Sequence, residues 1–437
     1  MMGLIKEELS IVSLDSLLDL KLFIPEYQRP YRWQVSSTNT LFMDTYEAYR
    51  KGVAEYRLGS VILHKKKDHY YIVDGQQRMT TLSILLYCLG KTNAGLLNEQ
   101  YSSLSTNAII YNLELLSKKV SELQPEECLA YKSYLLEMCT VVKIVTDDEQ
   151  EAFQFFDSQN SRGKELAPHD LLKSYHLREM NLEDEHTKIK IINSWENKNQ
   201  QALEDLFRNY LFPVTQWYKK KDGLGYSSDK IATFKGIKLR NSYNYAIYQK
   251  ASNLFIEQTN TNGSIELLAN EPLNQFQLTQ PVLAGKRFFN YTLHYAELLE
   301  KVQNKIKDFH KKGQIPDVRS GDIYIKQLYE NALLFFADRF GLKFVTDAVM
   351  KQLYTWCYTL RLVMTAVYPQ TINKYACGKH ERINYGLDLF AKISEMNESE
   401  ELSLVIFESV NQEDGRINRK KYSEVWEFLY GRMDGER

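Results

Sequence analysis

Five consecutive residues, Asp74-Gly75-Gln76-Gln77-Arg78, combine side chains that could bind an anion. They follow an apolar run and precede apolar residues at helical spacing, so the sequence predicts a strand that turns directly into a helix. The first N–H groups of such a helix are unpaired and lie at the positive end of its dipole, which favours phosphate. Gly75 would let a ligand approach the backbone, and Arg78 would add a charged fork of N–H donors. Asp74 could hold a metal ion or orient a water molecule.

The same turn also has a purely structural interpretation. In it, Asp74 caps the helix, and Gln76 and Gln77 satisfy nearby backbone groups. The five residues alone leave both interpretations open.

A second candidate is the segment 24–33, with the sequence IPEYQRPYRW. Its arginines alternate with aromatic side chains, and such a pattern can bind phosphate while a ring stacks on a base. The candidate binding residues here are Tyr27, Gln28, Arg29, Tyr31 and Trp33. The segment alone favours the alternative, an arginine–aromatic packing seam between domains.

A third candidate spans residues 152–177, AFQFFDSQNSRGKELAPHDLLKSYHL. Asn160, Arg162 and Gly163 predict a polar turn before a helix that opens near Pro168, and such a turn is a second plausible anion cradle. Asp170 and Lys173 are three residues apart and share one face of that helix. A surface ion pair is the alternative for these last two.

Together the stretches IPEYQRPYRW, YIVDGQQRMTTL and FDSQNSRGKELAPHDLLK resemble, in order and spacing, the N-terminal domain of the GmrSD-type restriction proteins. The family signatures are IPxYQRxYxW, DGQQR(L)TTL and FxxxNxRGxxLxxxDLxK, from which this chain departs chiefly at Met79. The motifs span residues 24–173. The later stretches NYLFPVTQWYKKK and QPVLAGKRFFNYTLHYAELL look like the helical continuation of the family.

The resemblance implies a ParB- and sulfiredoxin-like fold, in which the Asp74–Arg78 turn takes the place of the nucleotide-binding turn of ParB proteins. It also implies binding and hydrolysis of a nucleoside triphosphate, and defence against phage DNA with modified bases or backbone. The sulfiredoxin branch needs a cysteine at this turn. None is present here, so thiol redox chemistry is disfavoured.

The predicted fold class is α+β. A ParB/sulfiredoxin-like domain at residues 1–180 would contain a helical insertion at 91–138, and a mostly α-helical domain would follow at 181–437. The first domain is predicted to begin with a helix at Ser10–Leu20, to contain a β-hairpin before Asp74, and to place a strand at Val141–Val145. Helices are predicted at 38–52, 76–89, 149–158, 168–180, 189–210, 241–257, 286–312, 323–340, 345–367, 381–394 and 419–430.

The formal net charge is −1, so no global basic field would hold nucleic acid. Local patches at Lys65–Lys67, Lys219–Lys221 and Arg416–Lys421 could contact DNA, although the charge runs alone favour a solvated loop for each. The five cysteines are scattered and lack the pairing of a disulfide frame or a zinc site. No signal peptide and no apolar run of the ~20 residues needed to span a membrane is evident, which predicts a cytoplasmic protein.

Many relatives of this kind carry an HNH nuclease domain, which needs paired histidines. No histidine follows His380, and His380 with Asn384 on one helix-like stretch makes a poor nuclease site. The group Asp317, Asp322 and Lys326 lacks the tight spacing of the other common nuclease core. The sequence therefore predicts that the nuclease is absent or is a separate chain.

The first functional hypothesis is a sensor or regulatory subunit that binds and hydrolyses a nucleoside triphosphate together with Mg²⁺ or a similar divalent metal ion. Arg78, Arg29 and the 160–163 loop would contact phosphate, Asp74 would hold metal or position water, and Gln76 or Gln77 would orient the attacking water. The candidate catalytic residues are thus Asp74, Gln76, Gln77 and Arg78. Expected partners are DNA and a separate nuclease subunit, with a homo-oligomer also open.

Two alternatives remain open. The chain could be a nucleotide- or DNA-binding module without turnover. It could also be a ParB-like metal-dependent nuclease, in which Asp74, Glu165 and Asp170 cluster around a metal ion.

Overall fold

The structure is a computed structural model with two compact units, one formed by residues 1–165 and 184–196 and the other by residues 166–183 and 197–437. The predicted domain ranges, 1–180 and 181–437, stay a prediction. The structure describes residues 9–25, 28, 30–93, 95–99, 101, 103–147, 152, 167–180, 183–262, 273–410, 418 and 420–431.

The first unit contains a mixed five-stranded sheet in the order β1-β5-β3-β4-β2. The strands are β1 (Leu9–Ser13), β2 (Leu22–Phe23), β3 (Tyr56–Lys66), β4 (His69–Asp74) and β5 (Cys139–Thr146). The central strand β3 pairs antiparallel with β4 and parallel with β5. The edge strands β1 and β2 pair antiparallel with β5 and parallel with β4, respectively. The predicted hairpin and the predicted strand at 141–145 are confirmed.

Helices alternate with the strands in the first unit and dominate the described part of the second unit. In chain order they are α1 (Leu14–Leu18), α2 (Val35–Arg50), α3 (Gln76–Cys88), α4 (Ser103–Ser121), α5 (Pro125–Glu137), α6 (Pro168–Arg178), α7 (Glu185–Glu196), α8 (Gln200–Asp205), α9 (Phe212–Trp217), α10 (Ala232–Lys235), α11 (Asn244–Asn262), α12 (Lys286–Phe309), α13 (Ser320–Phe340), α14 (Asp347–Val363), α15 (Pro369–Ala376), α16 (Leu389–Glu395) and α17 (Ser423–Tyr430). The α+β class, with a helical region after the sheet, is thus confirmed.

Helix α3 is the central helix of the first unit. Met79, Leu82 and Leu86 are fully buried on this helix, and its polar residues Thr80 and Ser83 are also buried. Helix α4, from the predicted helical insertion, packs along α3 and α2, while α5 packs on α1 and β5. The insertion therefore covers the core and is not a peripheral addition.

The prediction of a helix at Ser10–Leu20 is wrong in its first half. Residues Leu9–Ser13 form edge strand β1, and the helix begins only at Leu14. The Ser13 side chain accepts a hydrogen bond from the Ser16 backbone N–H at 3.2 Å, which caps the short helix. Strand pairing with β5 outweighs the local helical pattern here.

Helix α13 lies at the centre of the second unit, packed between α12 and α14. A buried ion pair joins α13 to α14, with Arg361 Nε donating to Asp322 Oδ1 at 2.6 Å. The Tyr422 hydroxyl, just before α17, donates to the same Asp322 oxygen at 2.9 Å and accepts a bond from the Arg361 guanidinium. Three chain segments therefore share one buried polar cluster.

The predicted helix at 381–394 is wrong over its first half, where the chain forms turns and α16 begins only at Leu389. Gly378, Asn384 and Gly386 have positive φ, which a helix does not tolerate. Asn384 donates to the Tyr375 hydroxyl at 2.6 Å and accepts from the Glu408 N–H at 2.8 Å. His380 and Asn384 consequently do not share a helix.

The predicted continuous helix at 189–210 is interrupted between α7 and α8. The Asn199 side chain caps α8 by accepting bonds from the N–H groups of Gln201 and Ala202. A π-helical turn at 206–211 follows α8. Residues 149–158, apart from Ala152, lie outside the described residues.

The buried side chain of His176 makes the second unit sensitive to acid. Its ring stacks on Phe288 with centroids 3.8 Å apart, its Nε2 donates to Phe234 O at 3.0 Å, and its Nδ1 accepts from the Gly285 N–H at 3.1 Å. Both nitrogens are therefore used by the neutral ring, and burial lowers the pKa of His176 to about 3.

We predict that stability from His176 is fully present above pH 6.5 and is lost as the pH falls towards 3, because the unfolded chain binds a proton that the folded chain excludes. The free energy of unfolding would change by at most about 1.4 kcal/mol per pH unit in this range. Urea unfolding of the parent and His176→Gln at pH 7, 6 and 5 measures it, and their stability difference should shrink on acidification. The exposed His186→Gln is the matched control. A difference that stays constant with pH would refute the assignment.

Candidate functional site

The turn between β4 and α3 is built on Gly75. Its φ is +96°, and an added Cβ would lie 3.1 Å from Val61 Cγ2 and 3.4 Å from Ser60 O. Gly75 is the N-cap of α3, and it has no side chain with which to cap the helix. The alternative in which Asp74 caps the helix stays a prediction. The dipole at the start of α3 favours an anion.

The guanidinium of Arg78 lies behind this turn, against β3. Its Nη1 donates to Ser60 O at 3.2 Å, and a Cβ on Gly59 would lie only 2.9 Å from Nη1. Gly59 has a φ of +104° and sits where the pairing of β3 with β5 shifts register. A strand irregularity with glycine thus makes room for the arginine.

Arg78 is half-buried, and this affects its charge. Burial lowers the pKa of Arg78, whereas the nearby Asp74 carboxylate opposes that effect. An arginine remains charged in either case. A guanidinium carries five N–H donors, so its bond to Ser60 does not use them all.

Gln77 joins this turn to the IPEYQRPYRW segment. Its side-chain oxygen accepts bonds from the backbone N–H groups of Arg32 at 2.8 Å and Trp33 at 3.2 Å. Its nitrogen donates to Pro30 O at 3.2 Å and to Gln76 Oε1 at 3.4 Å. The structure therefore brings the first two sequence motifs together, and one buried amide makes the connection.

Tyr31 is anchored in the same network and is fully buried. Its hydroxyl lies 2.7 Å from Thr81 Oγ1 and accepts from Asn112 Nδ2 at 2.9 Å, while its N–H donates to Ser105 Oγ at 2.9 Å. Asn112 also donates to Trp33 O at 2.6 Å. The ring of Tyr31 is thus packed inside the first unit.

Two further residues of this segment have defined partners. Gln28 Nε2 donates to Ile72 O at 3.0 Å and to Val73 O at 2.6 Å, near the end of β4. Arg32 pairs with the buried carboxylate of Glu196 at 3.2 Å. The predicted residues Tyr27 and Arg29 lie outside the described part of the chain.

The described end of the third motif belongs to the second unit. Asp170 and Lys173 lie on α6, in the second unit, and Lys173 is only 4% exposed, so it is not a surface residue. The predicted residues Asn160, Arg162, Gly163 and Glu165 fall outside the residues that the structure describes.

No group of three or more histidine, cysteine, aspartate or glutamate side chains within the described ranges could hold a metal ion. At the turn, Asp74 is the one carboxylate among residues 74–78. A single carboxylate suits Mg²⁺ that is also bound by substrate phosphates, and does not suit a metal held by protein ligands alone.

Sequence reasoning missed Gly59 and Ser60, which hold the guanidinium of Arg78. The available signal was an isolated glycine inside a strand pattern, RLGSVIL, which often marks a bulge or a close approach. Ser105 and Asn112, which anchor Tyr31 and Trp33, gave no comparable signal. They lie on a helix about 75–80 residues away from their partners.

Comparison with known families gives two matches along the chain. Residues 13–177 match the GmrSD restriction endonuclease, N-terminal domain, and residues 187–424 match a family of unknown function (DUF7834). No match was found among curated proteins. None of the described helices is both long and apolar enough to cross a membrane.

The predicted resemblance is thus confirmed: the turn, Arg78 and the docked segment all lie in a GmrSD-type N-terminal domain, which links the chain to restriction systems. With residues 187–424 of its 437 matched, the chain belongs to the family of unknown function DUF7834.

We predict that Gln77→Ala destabilises the first unit by about 3 kcal/mol, because two part-buried N–H groups and a carbonyl would lose their partner. Urea unfolding measures the loss, and amide exchange should accelerate in the peptide that covers residues 30–33. The matched control is Gln124→Ala, which removes an exposed amide that makes no cap hydrogen bond. Unchanged exchange at 30–33 in Gln77→Ala would show that the amide does not hold the segment.

Proposed function

We propose that this protein is a nucleoside triphosphate-binding and -hydrolysing regulatory subunit of a bacterial anti-phage restriction system. The observation that carries the proposal is the Asp74–Arg78 turn, where the start of helix α3, a close-packed N-cap glycine and a guanidinium meet. The match to a restriction endonuclease domain supports the biological setting. The proposal includes a ParB- and sulfiredoxin-like fold for this domain.

Triphosphate would bind at the start of α3. The first N–H groups of the helix would donate hydrogen bonds to phosphate oxygens, and Arg78 would neutralise charge from behind the turn. Mg²⁺, entering with the nucleotide and held in part by Asp74, would supply charge neutralisation at the phosphates. Gly75 matters because any side chain there would meet Val61.

Hydrolysis at such a site would depend on positioning and charge, without a covalent intermediate. Asp74 would orient the attacking water and Gln76 would assist it. Gln77 is engaged by the backbone of residues 30–33, so we assign it a positioning role. Tyr31, buried and fixed by Thr81 and Asn112, would likewise support the site and not stack on a base.

The system-level part of the proposal follows from the domain match. The subunit would sense phage DNA, respond through its nucleotide state and act with a nuclease on a separate chain. It would do so in the cytoplasm.

We predict that Arg78→Ala weakens triphosphate binding at least tenfold, because a charged fork of donors is lost at the phosphates. Calorimetric titration with Mg²⁺ and each of ATP, GTP, CTP and UTP measures binding, and phosphate release measures turnover. Arg57→Ala, which removes an exposed arginine from strand β3, the strand against which Arg78 lies, should behave as the parent.

Arg78→Lys keeps the charge and loses the planar fork, so it should bind more weakly than the parent while melting at a similar temperature. This variant separates binding from folding if Arg78→Ala is unstable. Binding by Arg78→Ala equal to the parent would overturn the site. Binding without phosphate release would overturn hydrolysis and leave a nucleotide-binding module. Turnover stimulated by phage DNA would support the sensing role.

A further inference from the structure

Six cationic side chains surround one cleft of about 980 Å³ in the second unit. We call it the basic cleft. Its cations are Lys307, Lys311, Lys312, Arg319, Lys326 and Lys421.

Three separate segments of the chain supply these cations. The last turn of α12 and the loop after it carry Lys307, Lys311 and Lys312, α13 begins beside Arg319 and carries Lys326, and Lys421 precedes α17. Arg319 and Lys326 are separated by about 10 Å along the helix axis. The positive charge is therefore spread along the cleft and not gathered at one point.

The four carboxylates in the lining offset only part of the charge of the six cations. Asp322 is committed to Arg361 and the Tyr422 hydroxyl. Glu330 is buried, accepts from the Tyr210 hydroxyl at 2.7 Å, and has its pKa raised by burial. Asp317 and Glu424 are exposed. Within the ranges that the structure describes, none of the six cations forms an ion pair with a carboxylate.

We propose that the basic cleft binds the phosphates of a nucleic-acid strand. Unpaired cations on three segments suit several phosphates in a row better than one compact triphosphate. The volume is at the upper end for small-molecule pockets. The proposal concerns the second unit and does not rest on the nucleotide site.

Recognition in the cleft would depend on the backbone of the strand and not on its bases. The aromatic residues of the lining are Tyr422 and His310. Tyr422 is buried, and His310 is half-buried with its Nε2 hydrogen-bonded to the Tyr329 hydroxyl. Neither ring presents an open stacking platform. Contacts to phosphate alone carry no sequence information, so binding should be insensitive to sequence and strongly dependent on salt.

The cleft differs from the lysine patch predicted at Lys219–Lys221. There Lys220 pairs with Asp388 at 2.5 Å, and Lys219 lies over the Tyr218 ring. Of the predicted patch Arg416–Lys421, Lys421 lines the basic cleft.

The test is fluorescence anisotropy of the full chain with a labelled 16-nucleotide single strand and the matching duplex at 50, 100 and 200 mM NaCl. The variant Lys307→Gln/Lys311→Gln/Lys312→Gln should bind at least tenfold more weakly than the parent. The slope of log K against log salt should fall in magnitude by about 2 for the single strand. Arg319→Gln/Lys326→Gln, on a second segment, should weaken binding in the same direction.

The matched control is Lys351→Gln/Lys374→Gln/Lys392→Gln, which removes the same charge from exposed positions of the second unit. It should bind within twofold of the parent. Equal weakening in control and cleft variants would overturn the proposal, and so would absence of binding by the parent at 50 mM NaCl. Displacement of the strand by equimolar tripolyphosphate would assign the cleft to a small polyphosphate instead. Binding of the single strand or the duplex by the parent, with loss of binding only in the cleft variants, would support the proposal.

Discussion

The first unit depends on the buried amide of Gln77. Its two polar atoms bond Pro30, Arg32 and Trp33, and these contacts fix an extended, proline-rich segment that has almost no regular structure of its own. Such a segment would otherwise expose backbone donors that the core cannot satisfy. A fully satisfied polar network of this kind specifies one arrangement, because each alternative leaves a buried group unpaired. The chemistry proposed for the turn therefore rests on a side chain that is not placed at the ligand.

Arg78 illustrates how strand irregularity and function are linked. Any other residue in place of Gly59 would bring its Cβ against the guanidinium of Arg78. The glycine in the irregular part of β3 therefore leaves the space that the arginine occupies. Gly75 has the same relation to Val61 on the neighbouring strand. Both glycines therefore matter because they have no side chain. The space beside them allows the charged guanidinium of Arg78 to lie near the start of α3.

Local patterns in the sequence predicted those elements of the fold that local interactions determine. The hairpin before Asp74 and helix α3 follow from alternation and helical spacing, and both are present. Edge strand β1 could not be predicted, because its pairing with β5 joins residues more than 125 positions apart. The turns around Asn384 were missed because helix-like spacing hid glycines with positive φ.

The candidate site was likewise predictable only in part. The residue types at 74–78 predict an anion-binding turn, and the structure brings residues 30–33 of the second motif against Gln77 of that turn. The sequence did not indicate that Gln77 would be occupied by backbone or that Tyr31 would be buried, since both facts depend on Ser105 and Asn112 in a distant helix. Polar residues in a motif are ambiguous until their neighbours in space are known.

The buried cluster of Asp322, Arg361 and Tyr422 has a consequence for biosynthesis. A buried ion pair is stable only when its remaining hydrogen-bonding groups are satisfied, and here one of the partners is 61 residues downstream of Arg361. At ordinary translation rates those residues take about 3 to 12 s to emerge. During that interval α13 and α14 can associate only with an incomplete polar centre. The second unit would therefore complete its folding late, when the segment before α17 adds its hydrogen bonds to the buried cluster.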